Sequence, residues 1–243
     1  RRRHTRYEWV VALFEPWLDP ADDLVQRVLR AFGDSFEAGD AQLARDLIVL
    51  GRPADPAAAL LVILALLQAG QEGSLCLGLE MTRLAARFLR AGCAAGDAGQ
   101  AAARIQAWLK DPAGAGHLVT TLGEENGQPT TPLVVRIEDG LPVRAWWLRL
   151  YAAERRLEQA FGMRRKLDPV KTTAAQKKAA LARGSAFAGM TLNPRQGEAV
   201  GLALAARTLV ISGGPGTGKT TTVAAVLRAL LSAGLCTAGR VAL

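Results

Sequence analysis

The chain has 243 residues, 50% of them apolar, and 30 Lys and Arg against 22 Asp and Glu, for a net charge of +8. That is enough apolar material for one substantial core, or for a smaller domain plus part of a second, and it excludes a disordered tail. The longest apolar run, Ala57–Leu67, is eleven residues; this falls short of the roughly 20 that cross a bilayer as a helix, so it reads as a buried helix and not as an anchor.

The basic start, Arg1–Arg3 and Arg6, runs into Tyr7, Glu8 and Trp9 without the apolar stretch and cleavage site of a signal peptide, so a cytoplasmic chain is expected. The first residue is Arg and not Met, and Gly239–Leu243 carries no capping signal, so the chain reads as a fragment open at both ends. Asp19-Pro20 followed by Asp22 and Asp23 is a helix start, with Leu24, Val25, Val28, Leu29 and Phe32 forming one stripe at helical period. Asp55-Pro56 repeats the signal ahead of Ala57–Leu67, whose all-round hydrophobicity places it inside a helical cluster.

Gln68–Ser74 reads as a turn, and Glu80–Arg90 as a helix with Leu84, Phe88 and Leu89 inward. The Gly- and Ala-rich run Ala91–Gln100 reads as a surface connection, and helix resumes over Ala101–Lys110. After the polar loop Gly123–Pro132, the segments Leu133–Glu138 and Leu141–Leu148 read as a β-hairpin, because Asp139-Gly140 supplies the two positive-φ positions of a tight primed turn. Pro142 has no N–H to give to a ladder and assigns the second arm to an edge. Leu150–Phe161 reads as a helix, with Leu150, Leu157 and Phe161 apolar and Glu154, Arg155 and Arg156 at the surface. Gly162–Gly189 reads as a basic connector, partly helical around Thr173–Arg183.

Between Arg144 and Arg183 stand eleven basic residues against Glu154, Glu158 and Asp168, so this stretch holds the whole charge excess. Two readings stay open for it: a track for a nucleic-acid backbone, flanked by Trp146, Trp147 and Tyr151, or a solvated helical face or one meeting an acidic partner. Cys76, Cys93 and Cys236 suit neither a disulfide framework nor a zinc site and are expected to be reduced and mostly buried. His4 and His117 are not expected to bind metal, and no internal repeat is visible.

The sharpest signal comes late. Thr208–Ser212 is a short apolar run of the kind that makes a buried parallel strand. Gly213-Gly214-Pro215-Gly216-Thr217-Gly218-Lys219-Thr220 follows at once and matches G-x-x-x-x-G-K-[ST] without a break. Thr221–Ala233 then reads as a helix with Val223, Val226, Leu227 and Leu230 on one face. Glycines let backbone N–H groups turn inward on phosphate oxygens, and the helix start adds unpaired N–H groups and a positive dipole end. Lys219 is expected to reach the β- and γ-phosphates of ATP, and the Thr220 hydroxyl, next to Thr221, to ligate Mg²⁺. Upstream, Asn193 caps and Pro194 opens a helix ending near Ala206.

Leu192-Asn193, Gln196 and Ala199-Val200 ahead of Ile211–Thr222 resemble the RecD-like superfamily 1 helicases. Arg149, Tyr151 and Glu154 after the hairpin, and Gly73-Ser74-Leu75-Cys76-Leu77 after an apolar helix, are similar to the amino-terminal domain of that family. The resemblance implies an α/β protein: a mainly α-helical amino-terminal, partner-binding domain with a β-hairpin over residues 1–166, then the connector at 167–190. The start of a RecA-like P-loop NTPase motor domain would follow at 191–243. It further implies that Gln196 contacts the adenine edge, that the parent runs 5′ to 3′ on single-stranded DNA, and that it assembles with RecB and RecC on duplex ends in recombinational repair, as exonuclease V, away from membranes. The family's later motor motifs have no counterpart in the 24 residues after Lys219, so ATP turnover by these residues alone is not expected. Two other readings remain: a RecD-like helicase working without RecB and RecC, for which no convincing Gly-rich DNA-binding hairpin is seen, and a non-catalytic docking module.

Overall fold

The computed structural model describes residues 13–14, 19, 22–33, 36–111, 113–123, 128–167, 170, 172–185 and 191–242. Two compact units divide the chain, Arg1–Arg155 and Arg156–Leu243. The expectations for Arg1–Trp9 and His4, for Pro20, for the loop at 124–127, and for Asp168, Lys171 and 186–189 lie outside the described residues. No helix among the described residues is long and apolar enough to cross a membrane.

The first unit opens with α1 (Asp23–Phe32), α2 (Ala38–Gly51) and α3 (Pro56–Gln71). Helix α1 buries Val25, Val28, Leu29 and Phe32, and its cap position Asp22 makes no side-chain cap bond. Helix α2 has no counterpart in the sequence expectations. It begins in a capping box between Glu37 and Asp40, a charged variant of the usual hydroxyl signal. Asp55 caps α3 by accepting from the Ala58 N–H, with Pro56 in the first turn. Every residue from Ala57 to Leu66 is buried. The helix continues through Gln71, so the turn expected at Gln68–Ser74 is displaced to Glu72-Gly73; Gly73, at φ +80°, takes the left-handed position that ends it.

Helix α4 (Met81–Arg90) buries Leu84 and Phe88, whereas Leu89, expected inward, is 48% exposed. Leu89 is turned about 100° from Phe88, on the side away from the buried Leu84 and Arg87. Helix α5 (Ala95–Leu109) overturns the surface connection expected at Ala91–Gln100. Ala98, Ala101 and Ala102 are fully buried, and small side chains let α5 close on its neighbours, so packing overrides the low helix propensity of Gly96 and Gly99.

The sheet has the order β1-β4-β3-β2, with β1 (Leu77–Gly78), β2 (Val119–Leu122), β3 (Leu133–Glu138) and β4 (Leu141–Trp147). Asp139 at φ +50° and Gly140 at φ +73° make the turn between β3 and β4. The edge assignment of β4 is corrected: β4 pairs with β3 on one side and with β1 on the other. Pro142 is tolerated because the two-residue ladder with β1 reaches only Ala145 and Arg144. A register irregularity between Arg136 and Ile137 lies beside it. β2 runs parallel to β3. Helix α6 (Leu148–Arg165) buries Tyr151 against Trp146, Val134 and Leu122, while Leu157 and Phe161 are exposed.

Arg104 of α5 ties two helix starts together: Nε and Nη2 donate to the Asp55 carboxylate at 2.8 and 2.9 Å, and Nη1 donates to Asp22. Burial pushes the Asp55 carboxyl up, but hydrogen bonds from Arg104 and the Ala58 N–H, with the Arg104 charge, hold it below its ordinary value of 3.8. A depressed folded value means the contribution is present above the unfolded value and lost as pH falls through the lower folded one. Asp55→Asn, which keeps a capping oxygen, is therefore expected to lower the urea midpoint of the first unit at pH 7. The gap from the parent should begin to narrow as pH falls through about 4, the free carboxylate value, and close only below the depressed folded value; an equal gap at neutral and at strongly acid pH would contradict this.

The second unit contains α7 (Ala174–Ser185), α8 (Pro194–Ala203) and α9 (Lys219–Ser232). Ala180, Val200, Leu204, Ala225 and Ala229 form its core. Helix α8 ends at Ala203, short of Ala206. On α9, Val226 and Leu230 pack against this core as expected, but its centre is Thr222, Ala225 and Ala229, which are buried, and Val223 is 36% exposed, because α7 approaches closely where Gly184 meets Ala225 and Ala229. The buried strand expected at Thr208–Ser212, and with it the start of a RecA-like sheet, is not found. These residues pair with no strand, and Val210 is 76% exposed. A parallel strand is held by bonds to neighbours, and every ladder among the described residues belongs to the first unit.

Candidate functional site

The glycine loop spans Gly213–Gly218 and ends where α9 begins at Lys219. Gly218 sits just before the helix at φ +78°, and Gly216 at φ +74°. Both angles lie in the left-handed region that only glycine enters at no steric cost. A Cβ at Gly218 would stand 2.7 Å from Nε2 of Gln196, and one at Gly213 2.6 Å from Oγ1 of Thr217. The contact at Gly213 is with a rotatable threonine side chain, so the curl depends on bare backbone at Gly216 and Gly218, whose φ values strain any side chain. Thr217 closes it by donating from Oγ1 to the Gly214 carbonyl at 2.9 Å.

Lys219 folds back over the loop, and its ammonium donates to the carbonyls of Gly213 and Gly214, both at 2.7 Å. Neutral carbonyls are weaker partners for an ammonium than phosphate oxygens, whose bonds are charge-assisted. Thr222 lies one turn further along α9, buried, with Oγ1 donating to the Gly218 carbonyl at 3.0 Å. Thr220 is exposed and Thr221 half-buried.

The N-terminus of α8 abuts this loop. Asn193 Oδ1 accepts from the Gln196 N–H at 2.9 Å, and Gln196 Oε1 accepts from the Asn193 N–H at 3.0 Å. That reciprocal box immobilises Gln196. Its Nε2 is left to donate to the Thr217 carbonyl at 3.4 Å, 21 positions away in the chain. The two elements enclose a cleft of about 330 Å³.

Of the residues expected at the site, Gln196, Gly213, Thr217 and Lys219 line this cleft. Gly214, Pro215, Gly216, Gly218, Thr220 and Thr221 lie in the loop and first helical turn outside that lining. Arg195, Ser212 and Thr222 line it without being among the expected residues. Arg195 is legible as the neighbour of Gln196 in the first turn of a capped helix. Thr222 is legible from its spacing of three from Lys219, which puts both on one helical face.

The arrangement suits an anionic ligand. Between Gln196 and Ala242 the only carboxylate is Glu198, against Arg207, Lys219, Arg228 and Arg240. The start of α9, with the unpaired N–H groups and positive dipole end of any helix start, adjoins the loop that the Lys219 ammonium covers. No cluster of three His, Cys, Asp or Glu side chains stands ready for a metal among the described residues. A divalent ion here would thus be carried chiefly by the phosphates it accompanies.

No curated protein and no solved structure matches the chain. Residues 196–242 match the family model described as an AAA domain, which marks this stretch as a P-loop NTPase region of helicase-like character.

Proposed function

We propose that this chain is the ATP-binding portion of a RecD-like DNA helicase subunit, the 5′ to 3′ motor of an exonuclease V complex with RecB and RecC. The observation that carries the reading is the fixed side chain of Gln196 against the Thr217 carbonyl of the glycine loop. It joins a base-reading amide to a phosphate-holding loop, as the resemblance to RecD-like helicases implies. ATP would be held by the loop amides, by Lys219 and by the first turn of α9, with Mg²⁺ on Thr220. Bound Mg²⁺-ATP supplies the phosphoanhydride whose cleavage drives a motor.

Hydrolysis also needs a positioned water and donors for the transition-state charge. With Glu198 the only carboxylate near the loop in sequence, these residues are assigned binding without turnover.

The test is equilibrium binding of a fluorescent ATP analogue to the purified chain. Lys219→Ala removes charge-assisted bonds worth about 1.5–3 kcal/mol, so affinity is expected to fall roughly 10- to 100-fold. Unchanged affinity in that variant would overturn the nucleotide reading. Co-purification with RecB and RecC tests the assembly separately, and its failure alongside intact ATP binding would favour a helicase that works without them.

A further inference from the structure

The first unit holds a second concentration of positive charge, remote in sequence from the glycine loop. Arg83, Arg87, Arg90 and Arg144 line a cleft of about 570 Å³ together with Ser74 and Thr82. Its assembly follows from local geometry. Arg83, Arg87 and Arg90 recur at four- and three-residue spacing, which puts them on one face of α4. Arg144 arrives from β4, whose register places it opposite Gly78 of β1. Gly78 leaves room for Arg83 to lie over it: a Cβ there would stand 3.1 Å from Arg83 Cδ.

The charges in this cleft do not balance. Glu72 pairs with Arg87 at 3.1 Å and Arg90 at 3.9 Å, and Glu80 with Arg83 at 3.7 Å. Arg144 has no ion-pair partner among the described residues, and Glu154 nearby is engaged by the Trp146 indole at 2.7 Å. Four guanidiniums thus face two paired carboxylates. Burial, then the Glu154 charge, pushes the Cys76 thiol up, so it stays neutral and cancels none of the excess. Arg87 is 8% exposed and fixed by Glu72, whereas Arg83, Arg90 and Arg144 are exposed.

The rest of the lining narrows the ligand. Among the described residues no aromatic or large aliphatic side chain contributes to it, so they offer neither the apolar anchor on which protein interfaces centre nor a ring on which a base would stack. What remains is guanidinium forks and hydroxyls, the donors that match phosphate oxygens in bidentate geometry.

We propose that this cleft is a second phosphate-binding site, which takes the backbone phosphates of a single nucleic-acid strand through Arg83, Arg90 and Arg144. Arg87, locked by Glu72, acts as a positioning residue. The choice of a strand over a free polyphosphate rests on the helicase-like reading; the phosphate chemistry of the cleft does not. Arg144 also opens the basic stretch that runs to Arg183, so the cleft stands at the head of that charge.

The test uses the full chain in a Lys219→Ala background, so that the glycine loop does not contribute. Anisotropy of a labelled oligothymidylate is titrated at several salt concentrations with the cleft intact, with Arg83→Glu/Arg144→Glu, and with Arg164→Glu/Arg165→Glu as a control of equal charge change. The cleft variant is expected to bind roughly tenfold more weakly at low salt, with the log-log salt slope reduced by about 0.7 for each phosphate that is no longer neutralised. The control should keep most of its affinity.

Equal losses in both variants would mean a diffuse field and would overturn the site, as would no loss in the cleft variant. Should the reversals disturb folding by circular dichroism, Arg83→Gln/Arg144→Gln serves instead. Competition on the intact cleft needs no further variant. Tripolyphosphate displacing the strand better than polyglutamate of matched charge supports phosphate recognition, and the reverse order assigns the cleft to an acidic peptide. Tripolyphosphate binding with no strand binding would remove the strand and leave a free-polyphosphate site. Because Lys219 is already replaced, none of these outcomes depends on ATP binding.

Discussion

Gly218→Val is expected to weaken nucleotide binding by the glycine loop at least about tenfold while leaving the first unit intact. Two costs act at this position. Gly218 sits at φ +78°, and a side chain in the left-handed region costs roughly 1–2 kcal/mol, more when β-branched. The new Cβ would also stand 2.7 Å from Gln196 Nε2. That amide ends a side chain held by the Asn193 N–H and the Thr217 carbonyl, so the clash is relieved by moving it only at the expense of those bonds. The backbone strain has no such escape and is the greater of the two costs. Relieving it flattens the curl just where α9 begins, and each 1.4 kcal/mol of lost loop geometry is a factor of ten in affinity.

Gly201→Ala is the matched control. Gly201 lies inside α8 with nothing within 4 Å of an added Cβ, and there the change is expected to stabilise slightly, by about 0.4–1 kcal/mol, without touching the site. Binding of a fluorescent ATP analogue separates the two. Parental affinity in Gly218→Val would mean that the loop geometry does not govern binding.

Leu61→Ala is expected to destabilise the first unit by about 2–5 kcal/mol, the range for deleting a fully buried leucine. Set against a total of roughly 5–15 kcal/mol for a domain, that is enough to shift the urea transition by a large fraction of its midpoint. The reason is the setting of α3. Leu60, Leu61, Val62 and Ile63 are all 0% exposed, so the helix is surrounded on every side and no face can collapse into solvent-filled space.

Leu50 at the end of α2 supplies the contrast: it is 75% exposed, and Leu50→Ala should change stability by no more than about 0.5 kcal/mol. Tryptophan fluorescence reads the result cleanly, since Trp108, Trp146 and Trp147 and the other two tryptophans all precede Arg155. An unmoved midpoint in Leu61→Ala would deny α3 its place at the centre of the core.

Particular residues show why some features are legible in the chain and others are not. The Asp139-Gly140 turn and the Asp55 cap are settled within three or four residues, and both stand where expected. The same holds for the Asn193 cap, while the bond that Gln196 returns to the Asn193 N–H is a local device outside the expectations. The exposure of Leu89 is not legible, because one turn of α4 has two apolar neighbours, Phe88 and Leu89, and only packing chooses between them. The Ala91–Gln100 run reads as a connection because glycine lowers helix propensity, whereas alanine-lined packing more than offsets that loss.

Sequence alone determined the features whose physics is local: an eleven-residue apolar run with no polar face, a primed turn, and a glycine loop abutting a helix start. Tertiary structure decided what depends on residues far apart in the chain. It made β4 an interior strand by setting Gly78 against Arg144, and it left Thr208–Ser212 without a ladder. It also gathered Ser74, Arg83 and Arg144 around one cleft. Strand pairing and cleft formation each need a partner from elsewhere in the chain, and the choice among possible partners is made by packing, which no local pattern records.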